Sequence, residues 1–161
     1  LKFGICNLKF NKMEISKLEL QPAKKVATRD NQGTENGWLM ELYKDKETGQ
    51  KTEAYLTAAL PGAFKGYHLH RVRAARYVAV KGKMKIICYE NREGKWQPTE
   101  FILSADNPQR LFIPKNVATG LENVGAEEAW LINYPDPAYD PSLKDEQVEY
   151  TKEELEQGIV K

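Results

Sequence analysis

The chain has 161 residues, 41% hydrophobic and 10% aromatic, with a formal net charge of +1. That is enough chain for one domain with its own core, and too apolar for a disordered segment. Near-neutral charge supplies no global field toward nucleic acid or membrane, no run of about 18 apolar residues forms a transmembrane span, and Cys6 and Cys88 show no CxxC or zinc spacing.

Residues 1–12, LKFGICNLKFNK, have scattered lysines and no apolar core of signal-peptide length. They read as a leader or an upstream extension, leaving 13–161 as a single domain of a reduced, cytoplasmic protein. Short strand-like runs follow: MEISKLEL (13–20), WLMELYKD (38–45), TEAYLTAAL (52–60), KGYHLH (65–70), RYVAVKG (76–82), KMKIICYE (83–90), TEFILS (99–104), QRLFIP (109–114) and EEAWLINY (127–134). Each alternates or is rich in β-branched and aromatic residues, with Gly, Pro, Asn or Asp at its bounds. YVAVKGKMKIICY is expected to be a hairpin turning at Lys81-Gly82; ENREGKW (90–96) and SADNPQ (104–109) are further turn clusters. Strands this closely spaced indicate a β-sandwich or barrel rather than βαβ units. YPDPAYDPSLKDEQ (134–147) carries three prolines and reads as irregular surface chain. Thr151 and Glu154 form a capping box that opens a short C-terminal helix, with Gly158 suited to its end.

The chain's two histidines are His68 and His70. As residues i and i+2 of one strand they share a face, while Tyr67 and Leu69 take the other. Paired imidazoles serve either a transition metal or proton transfer near neutral pH. Their spacing resembles the first cupin motif, G-x5-H-x-H-x(3,4)-E-x6-G, with Gly82 in place but Ala75 where the glutamate belongs. PKNVATGLEN (114–123) keeps the frame of the second motif, P-x-G-x-x-H-x-x-x-N, with Asn116 for the glycine and Thr119 for the histidine. Two imidazoles fall short of the three or four protein ligands of a stable transition-metal site, so metal-free proton transfer is the better use of the pair.

Charge adds a second indication. From Ala54 to Tyr89 there is no Asp or Glu, but seven cations: Lys65, Arg71, Arg73, Arg76, Lys81, Lys83 and Lys85. A histidine pair in such chain expects an anionic ligand such as a phosphate or diphosphate, with Arg73 and Arg76 as the leading contacts. Nucleic acid is not expected, because no recognition helix or aromatic RNP-type strand is present.

KGYHLHR (65–71), IPKNVATGLENV (113–124) and LINYPDPAYDP (131–141) together resemble the metal-free cupins that modify nucleotide-linked deoxysugars, the dTDP-4-dehydrorhamnose 3,5-epimerase and dTDP-4-keto-6-deoxyhexose 3,4-ketoisomerase group. The similarity runs over about residues 13–147. It implies an all-β cupin-type double-stranded β-helix, a jelly-roll barrel. It also implies an isomerase that needs no cofactor, a nucleotide-sugar substrate and a homodimer. His68 would then be the general base, His70 the second proton carrier, and Lys65, Arg73 or Arg76 the diphosphate contacts. Tyr67 would stack on the base, and Thr119 stands where the family has a histidine. The family's tyrosine falls on Ile132, which leaves Tyr134 or Tyr139 to replace it. A non-catalytic cupin that binds an anion and a metal-dependent cupin enzyme stay open beside this reading.

Overall fold

The computed structural model describes residues 25–44 and 53–161. The strand read at 13–20 lies outside them. The described chain forms β1 (Lys25–Arg29), β2 (Glu35–Lys44), β3 (Glu53–Ala59), β4 (Phe64–His70), β5 (Ala75–Lys81), β6 (Lys83–Arg92), β7 (Lys95–Ser104), β8 (Arg110–Ile113), β9 (Val117–Asn123), β10 (Ala129–Asn133), β11 (Gln147–Glu149) and α1 (Lys152–Glu156). A six-stranded sheet runs β1-β2-β3-β10-β5-β8 and a five-stranded sheet runs β11-β4-β9-β6-β7. Every pairing is antiparallel. This is the jelly-roll barrel that the resemblance implies, within the sandwich-or-barrel class that the strand spacing indicates.

The core lies between the two sheets, where Ala59, Tyr77, Met84, Ile86, Leu103, Ile113 and Leu131 are buried together. A second cluster covers the outer side of the five-stranded sheet. Tyr67 and Leu69 of β4 pack there with Ile87, Tyr89, Ala118, Tyr150 and Leu155. Alternation along β4 therefore sends Tyr67 and Leu69 out under α1 and the histidines into the barrel. The helix holds its place through the expected capping box, in which Thr151 and Glu154 satisfy each other's backbone N–H groups.

One expectation needs correction. Lys81-Gly82 is not a hairpin: β5 pairs with β10 and β8, and β6 with β7 and β9, so the chain crosses from one sheet to the other there. One residue between strands is too short for a hairpin loop. Gly82 has φ +66, and a Cβ on it would press against Ala129 at 3.2 Å, so a side chain at this corner would be strained. The hairpin is instead β6–β7, turning at Glu93-Gly94 with φ 54 and 80. VATGLEN, which is not among the strand-like runs, is a central strand, β9, paired on both sides. Gly120 hides it from propensity, but a Cβ there would meet the Phe64 ring at 2.6 Å. The run from Tyr134 is irregular as expected and leads into β11, which pairs with the histidine strand.

Candidate active site

A cavity of about 500 Å³ opens between the sheets, with both histidines on one wall. His68 and His70 reach it from β4, Thr119 and Leu121 from β9, and Gln147 from β11. The facing wall carries Glu53, Tyr55 and Thr57 of β3, Tyr77 of β5 and Asn133 of β10. Arg73 and Tyr139 reach it from loops.

β11 explains how the histidines are held. Its register sets Gln147 opposite His70 and Glu149 opposite His68. Glu146, just before it, is 4% exposed and places both carboxylate oxygens 3.2 and 3.3 Å from His70 Nδ1. Arg73, 7% exposed, donates from Nε to Glu146 Oε1 at 3.0 Å, and its Nη2 lies 3.1 Å from the same Nδ1. Two carboxylate oxygens against one guanidinium N–H favour the tautomer in which Nδ1–H donates to Glu146. Nε2 is then the free lone pair.

Burial, and then the Arg73 charge, pull the His70 pKa down to about 4 despite Glu146. Burial works against ionisation of Glu146, but the Arg73 hydrogen bond, the His70 imidazole and the Arg73 charge together outweigh it and keep the carboxyl below its ordinary range. Burial also lowers His68; Glu149, at 3.6 Å from its Nε2, opposes that shift. Both imidazoles are therefore neutral at pH 7 and able to accept protons.

Lys65 borders the cavity, but its ammonium is directed to protein groups. Nζ donates to Thr57 Oγ1 at 2.9 Å and to the Ala58 carbonyl at 2.7 Å, and burial lowers its pKa to about 8. Thr119 is buried on the cavity wall and turns its hydroxyl to the Val117 carbonyl. Arg73 faces the cavity as expected, but it is spent on Glu146 and lies under the Tyr139 ring at 5.1 Å.

Three expected site residues lie elsewhere. Tyr67 is in the outer core cluster against Phe64 and Tyr89, with its phenol pushed up to about 12, chiefly by burial. It shares no face with the histidines and cannot stack on a bound base. Arg76 takes the opposite face of β5 from Tyr77, pairing with Asp136 and lying over Phe112. Tyr134 is 41% exposed and lines no part of the cavity, whereas Tyr139 does. Three cations of the basic run meet acids from distant segments: Glu146 at Arg73, Asp136 at Arg76 and Glu122 at Lys85.

Sequence reasoning missed Glu146, Glu53, Tyr55, Tyr77 and Asn133. One signal existed: Glu53, Tyr55 and Thr57 alternate in EAYLTAA, the inward polar face of β3. Nothing local marks Glu146, which lies 76 residues from its histidine. Among the described residues, no three His, Cys, Asp or Glu side chains lie grouped to hold a metal ion. Ala75 offers no donor, and the Thr119 hydroxyl is turned away, so the donor set does not fit a cupin metal. Among the described residues no helix is long and apolar enough to cross a membrane.

Residues 32–147 match the family model described as polysaccharide biosynthesis C-terminal domain. The spore coat polysaccharide biosynthesis protein SpsL of Bacillus subtilis (strain 168) is 27% identical over 117 residues, 70% of this chain and 78% of its own. A protein of Haloferax volcanii named "Probable low-salt glycan biosynthesis epimerase" is 29% identical over 133 residues, 76% of this chain and 84% of its own. Among solved structures, the capsular polysaccharide assembling protein CapF from Staphylococcus aureus superposes with a TM-score of 0.63 at 19% identity, over 80% of this chain. The matched region is 32% of that chain, so this chain spans about a third of it. Oxalate oxidase in complex with glycolate gives 0.58 at 18% identity, over 75% of this chain and 59% of its own. At these identities the structural likeness concerns the fold.

Proposed function

The chain belongs to the polysaccharide biosynthesis C-terminal domain family, and on that premise we propose that it is a sugar epimerase or ketoisomerase of glycan biosynthesis. Its proposed substrate is a nucleotide-linked 4-keto-6-deoxysugar. The observation that carries this reading is His70, neutral and oriented by a buried carboxylate, with its second nitrogen left for the cavity. The relative whose printed name is an epimerase supports the reaction class.

The chemistry uses side chains on the page. His70 Nε2 takes the proton from the carbon beside the ketone; the C–H electron pair forms a C=C bond and the carbonyl oxygen takes the charge. A proton returned to that carbon on the other face inverts it. A proton returned to the former carbonyl carbon, with one exchanged between the two oxygens, moves the ketone. Tyr139, on the cavity lining, supplies the proton from beyond the ring, and His68 relays the second. The sequence alone points to His68 as the base; the carboxylate contacts favour exchanging the two roles. The reading carries with it a cytoplasmic homodimer, a state that light scattering tests.

The test is incubation with dTDP- and UDP-linked 4-keto-6-deoxyhexoses in heavy water. Deuterium should enter the sugar, and His70→Ala should abolish its entry. Binding without exchange in the wild type overturns the reading in favour of a non-catalytic cupin.

A further inference from the structure

The wall that faces the histidines has a polar row of its own. Asn133 of β10 is the direct cross-strand partner of Tyr55 on β3 and of Tyr77 on β5. The three side chains stand side by side on the inner face and all line the cavity. Asn133 Nδ2 donates to Tyr55 Oη at 2.6 Å. An amide N–H occupies a lone pair of the phenol oxygen and leaves the phenol hydrogen unused. Asn133 is 4% exposed, and its Oδ1 has no hydrogen-bond partner. Such an incomplete buried cluster is a place where a ligand group supplies the missing member.

We propose that Tyr55 is a catalytic residue, the hydrogen-bond donor to the oxygen that becomes negative when carbon is deprotonated, and that Asn133 is its positioning residue. This rests on the proton-transfer reading above. The two walls divide the work: an imidazole on one sheet accepts the proton while a phenol on the other receives the charge. The C–H bond breaks toward His70 Nε2, the carbon–carbon double bond forms, the carbonyl π pair settles on oxygen, and that oxygen accepts the Tyr55 O–H. Tyr55 keeps its proton throughout. Its surroundings suit that part: burial raises its pKa, opposed by Arg73 and Asn133 and reinforced by Glu53 and Glu146, so the phenol stays protonated. Donors fixed in advance where charge develops act without reorganisation, which is why one of them has a large effect on rate.

The experiment measures kcat and KM for deuterium entry in the wild type, Tyr55→Phe and Asn133→Asp. Tyr55→Phe keeps the ring and removes the donor. It should lower kcat by about 100-fold or more with KM within about threefold. Asn133→Asp puts an acceptor against the phenol, turns its hydrogen away from the cavity, and should reproduce that split. If Tyr55→Phe fails to fold, the Asn133→Asp result decides. A fall in kcat of less than about tenfold in the deciding variant, with wild-type exchange intact, overturns this inference and leaves the functional reading standing. Absence of exchange in the wild type overturns both.

Discussion

Glu146→Gln isolates the group on which the candidate site turns. The Arg73 and Glu146 side chains keep only 8% and 3% of their exposure. Removing the negative charge leaves a guanidinium buried beside a neutral amide. Breaking a buried pair by losing one partner costs about 3–5 kcal/mol, a large share of the roughly 5–15 kcal/mol that holds a domain folded. At about 2–4 °C per kcal/mol for a chain of this size, Tm should fall by about 6–20 °C. Activity should fall further than stability explains. The amide can donate to His70 Nδ1, which moves the ring proton to Nε2 and removes the base; the expected loss of deuterium exchange is about 10²–10⁴-fold. The double variant Arg73→Met with Glu146→Leu separates the two effects. It should regain most of the stability, since apolar pairs replace buried ion pairs at little cost, but none of the exchange. Calorimetry and exchange read by NMR measure both. A Glu146→Gln protein with Tm within about 2 °C of wild type and full exchange would refute the dyad and its energetics together.

Tyr139→Phe should slow turnover by about tenfold or more while Tyr134→Phe leaves it unchanged, since only Tyr139 borders the cavity; equal effects would count against the assignment. Arg76→Ala should change neither kcat nor KM, because its side chain lies on the far side of the sheet with Asp136; a raised KM would contradict that placement. Tyr67→Ala should cost about 3–5 kcal/mol in urea unfolding through its core cluster, whereas a small effect would place the ring outside the core. Acid should destabilise the protein through His70. Its folded pKa lies near 4 against an ordinary 6.5, so the unfolded chain binds the extra proton between these values. Stability is complete above about pH 6.5 and is lost as the pH falls toward 4. In His70→Asn that part of the slope should vanish, and an unchanged slope would exclude His70 as its source.

The barrel was legible because β-strands state their faces every second residue. KGYHLH separates cavity from core without any knowledge of its neighbours, and T-x-x-E announces α1. What did not read was adjacency. Lys81-Gly82 has the composition of a hairpin turn, but a sheet-to-sheet corner needs the same backbone freedom, so the residues alone do not say which strands pair. Charge poses the same difficulty. Of the seven cations between Ala54 and Tyr89, Arg73 meets Glu146, Arg76 meets Asp136 and Lys85 meets Glu122 once the sheets stack. Tyr67 was misplaced by a different route. Its face follows correctly from alternation, and the family likeness then drew it toward the ligand against that geometry.

The three residues of β11 tie the chemistry to a distant part of the chain. Among the described residues the other ten strands lie within 25–133. Glu146 reaches His70 because Gln147–Glu149 zips along the β4 edge beside it. Loosening that short seam would free the ring to choose its own tautomer, so three residues far along the chain govern the proton the cavity trades.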